Sequence, residues 1–227
     1  MYKLCIFDLD GTLADTIASM AHPANRALSE LGLPTLAPEG FKYYAGDGAA
    51  VLCRRALEAA GDPAGAHYDV FYPLYRKYFS EDCMYQVHPY EGICDTLEAL
   101  KQAGIPITVL SNKPHSQAVD VIETLFGKGY FDAIQGQVDG IPKKPAPDGA
   151  WKLAETFGAR PEECLYIGDT GTDMQTGTRA GMHTVGVLWG FRTYGELKEN
   201  GADQIIEKPA QILEIAGIRE KKEEPHD

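Results

Sequence analysis

The chain has 227 residues, 44% of them hydrophobic, which is enough for one domain of ordinary size or for a core domain with a smaller insertion. Its formal net charge of −12 argues against a nucleic-acid or anionic-membrane partner, because those surfaces attract basic patches and the chain has only short Lys/Arg pairs. No apolar run approaches the ~18 residues that a membrane-spanning helix needs, so the sequence predicts no such helix.

The cysteines are odd in number and include no Cys-x-x-Cys pair; they are Cys5, Cys53, Cys83, Cys94 and Cys164. This pattern fits reduced thiols better than a disulfide framework or a zinc site. The chain also begins directly with an apolar, strand-like run. We therefore expect a cytoplasmic location.

The first apolar run, residues 4–7, predicts a strand buried on both faces of a parallel sheet, and Gly11 marks the turn that leaves it. Asp8 stands at the carboxyl end of this strand. If extended backbone continues to Asp10, the two carboxylates lie on one side. One can attack phosphorus while the other protonates the leaving oxygen and later activates water. The same pattern also resembles the start of a calcium loop, but the twelfth position counted from Asp8 is Ser19 instead of glutamate.

Residues 16–82 read as helices punctuated by Gly and Pro, with no convincing buried strand. Apolar residues recur at helical spacing within three segments, 17–31, 51–60 and 71–79. The aromatic stripe of the third segment is interpreted as helix packing. This part of the chain is predicted to be an inserted helical unit.

From residue 88 onward, helical segments alternate with short apolar strands. The predicted strands are 105–110, 133–134, 164–167, 184–188 and 205–206, and the predicted helices include 97–100, 119–125, 151–157 and 174–180. Such alternation is typical of an α/β fold with a parallel sheet and helices on both faces.

Polar residues follow the ends of the predicted strands. Ser111 and Asn112 follow one strand, Asp169 and Asp173 follow another, and Lys144 lies in the loop after a third. Because the ligand crevice of an open parallel sheet lies outside the carboxyl ends of its strands, we expect these groups to meet Asp8 there. Taken singly, each has an ordinary alternative, such as a helix cap, a surface lysine or a strand-to-helix turn.

Cleavage of a phosphomonoester would require each of these polar and charged groups. Its dianion repels a carboxylate nucleophile, so a divalent cation and a fixed ammonium must neutralise it. The carboxylates of Asp8 and Asp169 and the carbonyl of Asp10 supply hard oxygen ligands that suit Mg²⁺. Asp173 is expected to act as a ligand through water or as a partner of the ligands.

The phosphate itself needs positive charge and hydrogen-bond donors. Lys144 is expected to hold the phosphate beside Asp8, and the Ser111 hydroxyl is expected to donate to a phosphoryl oxygen. Asn112 is assigned to substrate binding with them. Lys143 stands next to Lys144, and the proline after Lys144 favours the latter.

Together these segments resemble the four motifs of the haloacid dehalogenase-like hydrolase superfamily; they are Asp8-Leu9-Asp10-Gly11-Thr12, Ser111-Asn112, Lys144-Pro145 and Gly168-Asp169-x-x-x-Asp173. The resemblance implies a Rossmann-like core, a helical cap between the first and second motifs, and a magnesium-dependent mechanism with an aspartyl-phosphate intermediate. This cap matches the inserted helical unit, so we divide the chain into a core of residues 1–15 and 83–218, a cap domain of 16–82 and a highly charged tail of 219–227 that we expect to be frayed. The acid Asp10 points to a phosphatase instead of a dehalogenase.

Within that superfamily, segments 45–52, 55–57, 111–114 and 188–191 resemble the phosphoglycolate phosphatases. This resemblance implies 2-phosphoglycolate, a small phosphorylated metabolite, as the substrate. Arg55 is our candidate for its carboxylate, because a guanidinium can form two charge-assisted hydrogen bonds with it. The alternative is that Arg55 lies on a solvated helix face.

Two other functions stay open at this point. A sugar-phosphate mutase resembles these phosphatases in core and cap but returns the phosphoryl group to a sugar. A non-catalytic binding protein could use the same scaffold, because fold does not establish function. The sequence does not predict an oligomeric state.

Overall fold

The computed structural model describes residues 2–218, and the predicted tail lies outside the described residues. The strands are β1 (Leu4–Phe7), β2 (Ala14–Asp15), β3 (His88–Pro89), β4 (Ile107–Pro114), β5 (Ala133–Gln137), β6 (Cys164–Gly168), β7 (His183–Val187) and β8 (Gln204–Ile206). The helices are α1 (Ile17–Glu30), α2 (Phe41–Tyr44), α3 (Ala49–Ala59), α4 (Tyr68–Asp82), α5 (Ile93–Gln102), α6 (His115–Phe126), α7 (Asp148–Thr156), α8 (Gly171–Ala180), α9 (Tyr194–Glu199) and α10 (Gln211–Ala216). Within residues 2–218, no helix combines the length and hydrophobicity that crossing a bilayer requires.

The main sheet has six parallel strands in the order β5-β4-β1-β6-β7-β8. Strand β1 lies at its centre between β4 and β6, so the carboxyl ends of these three strands are neighbours. After β1, the chain adds β4 and β5 on one side of it and then crosses to add β6, β7 and β8 on the other side. In open α/β sheets, ligands bind where the strand order reverses in this way.

Strand β1 shows why the sheet is covered on both sides. Cys5 and Phe7 pack into a cluster that contains residues of α5, α6 and α10, whereas Leu4 and Ile6 pack into a second cluster with residues of α7 and α8. Successive side chains of a strand point to opposite faces, so a continuous apolar run requires burial on both. The predicted α/β class, with a parallel sheet between helices, is confirmed.

Helices α1 to α4 pack around an apolar cluster distinct from the two that flank the sheet, and Phe191, which follows β7, also belongs to it. Leu28, Phe41, Leu57 and Phe71 are fully buried in it. Burying each such side chain is worth roughly 1.5–3 kcal/mol. This separate core supports our proposal that residues 16–82 form a cap over the sheet.

Several elements differ from the sequence predictions. Strands β2 and β3 form a small antiparallel ladder where the chain leaves and re-enters the core, and two-residue strands show no periodicity to detect. The predicted end of the second core strand at residue 110 is wrong, because β4 continues to Pro114 after a register shift against β5. Ser111 and Asn112 therefore lie within the strand and do not cap α6, whose N-cap position is Pro114.

Candidate active site

The turn after β1 brings Asp8 to the carboxyl edge of the sheet. Its main-chain N–H still donates to the carbonyl of Ile167 in β6 at 2.9 Å, and its side chain is buried. Gly11 then adopts φ +89°, and a Cβ atom there would lie 2.3 Å from Oδ2 of Asp169. A glycine is therefore required for the chain to turn this close to the second acidic segment.

Asp169 and Asp173 follow β6 and are held by short hydrogen bonds. Asp169 accepts from the Thr12 hydroxyl at 3.0 Å and from the Phe191 N–H at 2.8 Å. Asp173 lies in the first turn of α8, where it accepts from the N–H and the hydroxyl of Thr170, the N-cap residue. One carboxylate oxygen from each of Asp8, Asp169 and Asp173 lies within 4.8 Å of the other two.

Lys144 supplies the positive charge of this acidic cluster. Its Nζ atom lies 2.8 Å from Oδ1 of Asp8 and 2.7 Å from Oδ1 of Asp173, and its side chain is 3% exposed. Asn112 fixes the lysine main chain, because its Oδ1 accepts from the Lys144 N–H at 2.9 Å and its Nδ2 donates to the Lys144 carbonyl at 3.1 Å. Lys143 instead donates to the main-chain carbonyl of Asp47 at 2.9 Å.

The charges of this cluster do not balance. Burial, the carboxylate of Asp173 and, less strongly, that of Asp10 raise the pKa of Asp8 to about 7. Burial and the carboxylate of Asp173 hold the pKa of Asp169 well above its usual range. Burial lowers the pKa of Lys144, but its two carboxylate partners outweigh that effect and raise the pKa well above normal. Three buried carboxylates thus share one ammonium, and a divalent cation would remove the excess negative charge.

A cavity of about 470 Å³, counting its solvent-open part, adjoins Asp8. Its lining comes from both the sheet edge and the helical unit: Asp8, Asp10, Met20, Ala45, Gly46, Gly48, Ala49, Leu52, Tyr75, Phe79, Ser111, Asn112, Lys113, Pro114 and Lys144. Asp169 and Asp173 do not line the cavity. This arrangement suits a small ligand whose reacting group sits on Asp8 and whose remainder faces the helices.

Ser111 lies beside Asp8 in the cavity wall. Its Oγ accepts from the Lys113 N–H at 3.2 Å. Its own O–H donates to no partner among residues 2–218, so it is available to a ligand in the cavity. The structure thus brings together seven of the eight side chains that the sequence singled out.

Arg55 is the exception. Its guanidinium lies 2.7 Å from Oδ2 of Asp47 and donates to the carbonyls of Tyr43 and Tyr44 at 3.4 and 3.2 Å. Burial alone would raise the pKa of Asp47, but the Thr172 hydroxyl and Arg55 outweigh it and hold that pKa below its usual range. Arg55 is not among the residues that line the cavity. Its contacts are those of a residue that shapes the cap loop, and they do not place it as a carboxylate ligand.

We therefore expect Arg55→Ala to act on the loop instead of on one substrate. Loss of its partly exposed contacts should lower the free energy of unfolding by about 1 kcal/mol. The values of kcat/KM for 2-phosphoglycolate and for an uncharged aryl phosphate should change by equal factors. Arg54→Ala is the control, because Arg54 stacks on the Tyr68 ring. A loss confined to 2-phosphoglycolate in Arg55→Ala would restore the carboxylate-binding role.

The loop of residues 45–48 is attached to the core by side-chain hydrogen bonds that the sequence does not predict. Asn112 donates to the Gly46 carbonyl at 3.1 Å, Thr172 donates to Oδ1 of Asp47 at 2.8 Å, and Arg192 donates to the Ala45 carbonyl at 2.9 Å. These partners are far apart in the chain, and nothing in the local pattern predicts their pairing. They hold the loop over the cavity.

Comparisons with known proteins agree with this geometry. A family model described as haloacid dehalogenase-like hydrolase matches residues 5–187, and the chain belongs to this family. The phosphoglycolate phosphatase of Aquifex aeolicus (strain VF5) is 33% identical over 213 residues, which cover 94% of this chain and 96% of the relative. The phosphoglycolate phosphatase of Escherichia coli (strain K12) is 31% identical over 231 residues, with coverage of 93% and 91%.

Solved structures give the same grouping. A crystal structure from Lactobacillus delbrueckii subsp. bulgaricus matches with a TM-score of 0.89 at 31% identity and covers 95% of this chain and 98% of its own. A haloacid dehalogenase-like family hydrolase from Streptococcus pneumoniae matches with a TM-score of 0.80 at 26% identity, with coverage of 94% and 98%. The chain is thus a phosphatase of this family, a phosphoric monoester hydrolase.

Proposed function

We propose that the chain is a magnesium-dependent phosphatase that hydrolyses 2-phosphoglycolate through an aspartyl-phosphate on Asp8. The observation that carries this proposal is the position of Asp8, which lines the cavity while its carboxylate contacts Lys144 and lies near Asp169 and Asp173. The substrate is inferred from the similarity to phosphoglycolate phosphatases over more than nine-tenths of the chain.

The proposed reaction has two halves. In the first, a carboxylate oxygen of Asp8 attacks phosphorus, the bond from phosphorus to the ester oxygen breaks, and Asp10 gives that oxygen a proton. In the second, Asp10 takes a proton from water as the water attacks the phosphorus of the aspartyl-phosphate. Inorganic phosphate leaves, and the Asp8 carboxylate and protonated Asp10 are regenerated.

The surrounding side chains bind and orient the phosphoryl group. The Lys144 ammonium lies beside Asp8 and offsets the repulsion between two anions. The Ser111 hydroxyl donates to a phosphoryl oxygen. Asn112 positions Lys144 through its two main-chain hydrogen bonds and also binds the cap loop, so it links the phosphate site to the cap.

The acidic cluster fits a magnesium ion. The carboxylates of Asp8 and Asp169 are hard oxygen donors, and the Asp10 carbonyl accepts no hydrogen bond from the described residues, so all three are suitable ligands. Asp173 holds Lys144 and is a neighbour of these ligands. A magnesium ion bound here would neutralise charge on the phosphoryl group and on the buried carboxylates.

We expect Mg²⁺ to stabilise the folded protein and to be required for turnover. At a concentration of about 100 times its Kd, the ion should add ~2.7 kcal/mol and raise Tm by about 5–10 °C over the protein in EDTA. Asp169→Asn should reduce this shift, and Asp139→Asn, at an exposed position, should not. Differential scanning calorimetry measures the shift. Unchanged activity in excess chelator would defeat the metal assignment.

A panel of phosphorylated metabolites tests the function directly. We expect Mg²⁺-dependent phosphate release with the highest kcat/KM for 2-phosphoglycolate. Sugar phosphates in the panel, analysed for isomeric products, separate a mutase from a phosphatase. Failure of the folded protein to release phosphate from any member would point to a non-catalytic binding protein.

A further inference from the structure

Lys113 is a second buried lysine in the wall of the same cavity, and the proposed reaction steps do not use it. Its side chain is 3% exposed, and its Nζ atom lies 2.9 Å from Oδ1 of Asp10. The same nitrogen lies 4.8 Å from the centroid of the Phe79 ring in α4. Lys113 thus stands between the catalytic edge of the sheet and the cap.

The two lysines of the cavity are paired differently. Lys144 contacts two carboxylates, Asp8 and Asp173. Within the described part of the chain Lys113 contacts one, Asp10, and an ammonium has three N–H donors. Two donors of Lys113 are therefore left for a ligand. Because the ammonium is largely shielded from bulk water, an anion that accepts them is favoured over water or a neutral group.

Tyr75 of α4 adds a donor from the cap side of the cavity. Its side chain is 2% exposed, and its hydroxyl makes no hydrogen bond to another residue in the described part of the chain. Burial above all, and charges that include the Asp10 carboxylate, hold the pKa of Tyr75 well above its usual range, so the phenol keeps its proton. Tyr75 lines the cavity, so this O–H is available to a ligand oxygen there.

The other cap residues around this end of the cavity offer no competing acid. Met20, Leu52 and Phe79 are apolar, and Gly48 and Ala49 form the start of α3, whose first turn contains no acidic residue. The partial positive charge of a helix N-terminus also favours an anion. Among residues 2–218, Asp10 is the one carboxylate that forms a salt bridge with Lys113.

We propose that Lys113 and Tyr75 bind a carboxylate of the substrate, so that the site selects phosphomonoesters of short hydroxy acids. This inference rests on the proposed phosphatase function, which puts the phosphoryl group on Asp8. Asp10, the partner of Lys113, is two residues away from Asp8, and both line one small cavity. A substrate that reaches from one lysine to the other therefore needs its two anionic groups close together.

The test compares two esters that differ in the carboxylate, 2-phosphoglycolate and ethyl phosphate. For Lys113→Met, we expect kcat/KM for 2-phosphoglycolate to fall about 10- to 100-fold further than kcat/KM for ethyl phosphate, which is the range for a hydrogen bond to a charged group. Tyr75→Phe should give a smaller selective loss. Lys152→Met, at an exposed position on α7, is the control and should change neither value. Equal losses for both esters in Lys113→Met would overturn the proposal.

A binding measurement separates this inference from the proposed function. Isothermal titration calorimetry with Asp8→Asn as background avoids turnover and compares 2-phosphoglycolate with ethyl phosphate, with and without Lys113→Met. The carboxylate site predicts that Lys113→Met weakens 2-phosphoglycolate selectively, even if the wild-type chain hydrolyses neither ester. If both ligands lose affinity equally, Lys113 does not bind the carboxylate, whatever the result for hydrolysis.

Discussion

Replacing Asp8 by Asn is expected to lower kcat by about 10⁴-fold or more for every phosphomonoester, because an amide cannot form the acyl phosphate. The shape of the side chain is kept, and Lys144 keeps its contact with Asp173. The removed charge is also one of three crowded, buried carboxylates, so the fold should not suffer. Steady-state phosphate release and Tm measure the two effects.

Asp95→Asn is a matched control for this substitution, because it removes one carboxylate from an exposed position on α5. Its kcat should equal that of the wild-type protein. A well-folded Asp8→Asn protein with near-normal kcat would exclude Asp8 as the nucleophile.

The second large effect is expected for Asp10→Asn, which removes the proposed acid and base. General acid–base catalysis contributes typically 10²–10⁴-fold, and we expect a loss in that range for alkyl esters, whose leaving oxygen needs a proton. An activated aryl phosphate depends less on proton donation by Asp10 in the first half of the reaction. In the second half its aspartyl-phosphate still needs Asp10 to take a proton from the attacking water. The Asp10→Asn protein should therefore become phosphorylated by the aryl ester and then hydrolyse slowly.

Rapid-quench, single-turnover experiments with both ester types measure the two halves separately. The expected pattern is a large loss in phosphorylation for the alkyl ester and a small one for the aryl ester. Equal losses in phosphorylation for both types would mean that Asp10 does not protonate the leaving group.

The central part of the fold could be predicted because its sequence pattern is local. The run before Asp8 and the run before Gly168 are short and apolar at every position, and a strand covered on both faces buries such a run completely. Parallel strands then bring their carboxyl ends to one edge. For this reason, the meeting of Asp8 with Asp169 and Lys144 could be expected from their positions after strands of a parallel sheet.

The contacts of individual side chains could not be predicted in the same way. The resemblance of segment 55–57 to phosphoglycolate phosphatases makes Arg55 a candidate ligand of the substrate carboxylate, but in the structure its guanidinium pairs with Asp47. Lys113 lies within segment 111–114, but nothing in that segment predicts its partner Asp10, which is 103 residues away. The direction in which a side chain points depends on how the cap and the core pack. A single sequence without its fold therefore does not show which distant residues come into contact.

The extension of β4 shows a related limit. Ser111 and Asn112 are polar residues, and a polar pair after an apolar run normally marks the end of a strand. Here the strand continues because pairing with β5 resumes at Pro114. Asn112 is buried, and its polar atoms are satisfied by the main chain of Lys144 and by Gly46.

The measurement that tests the central claim most directly is chemical trapping of the intermediate. Borohydride reduces an acyl phosphate of aspartate to homoserine, so enzyme treated during turnover of 2-phosphoglycolate with Mg²⁺ can be digested and its modified residue located by mass spectrometry. We predict homoserine at position 8, dependent on substrate and absent in Asp8→Asn. Turnover without modification of Asp8, or with modification at another carboxylate, would contradict the aspartyl-phosphate mechanism.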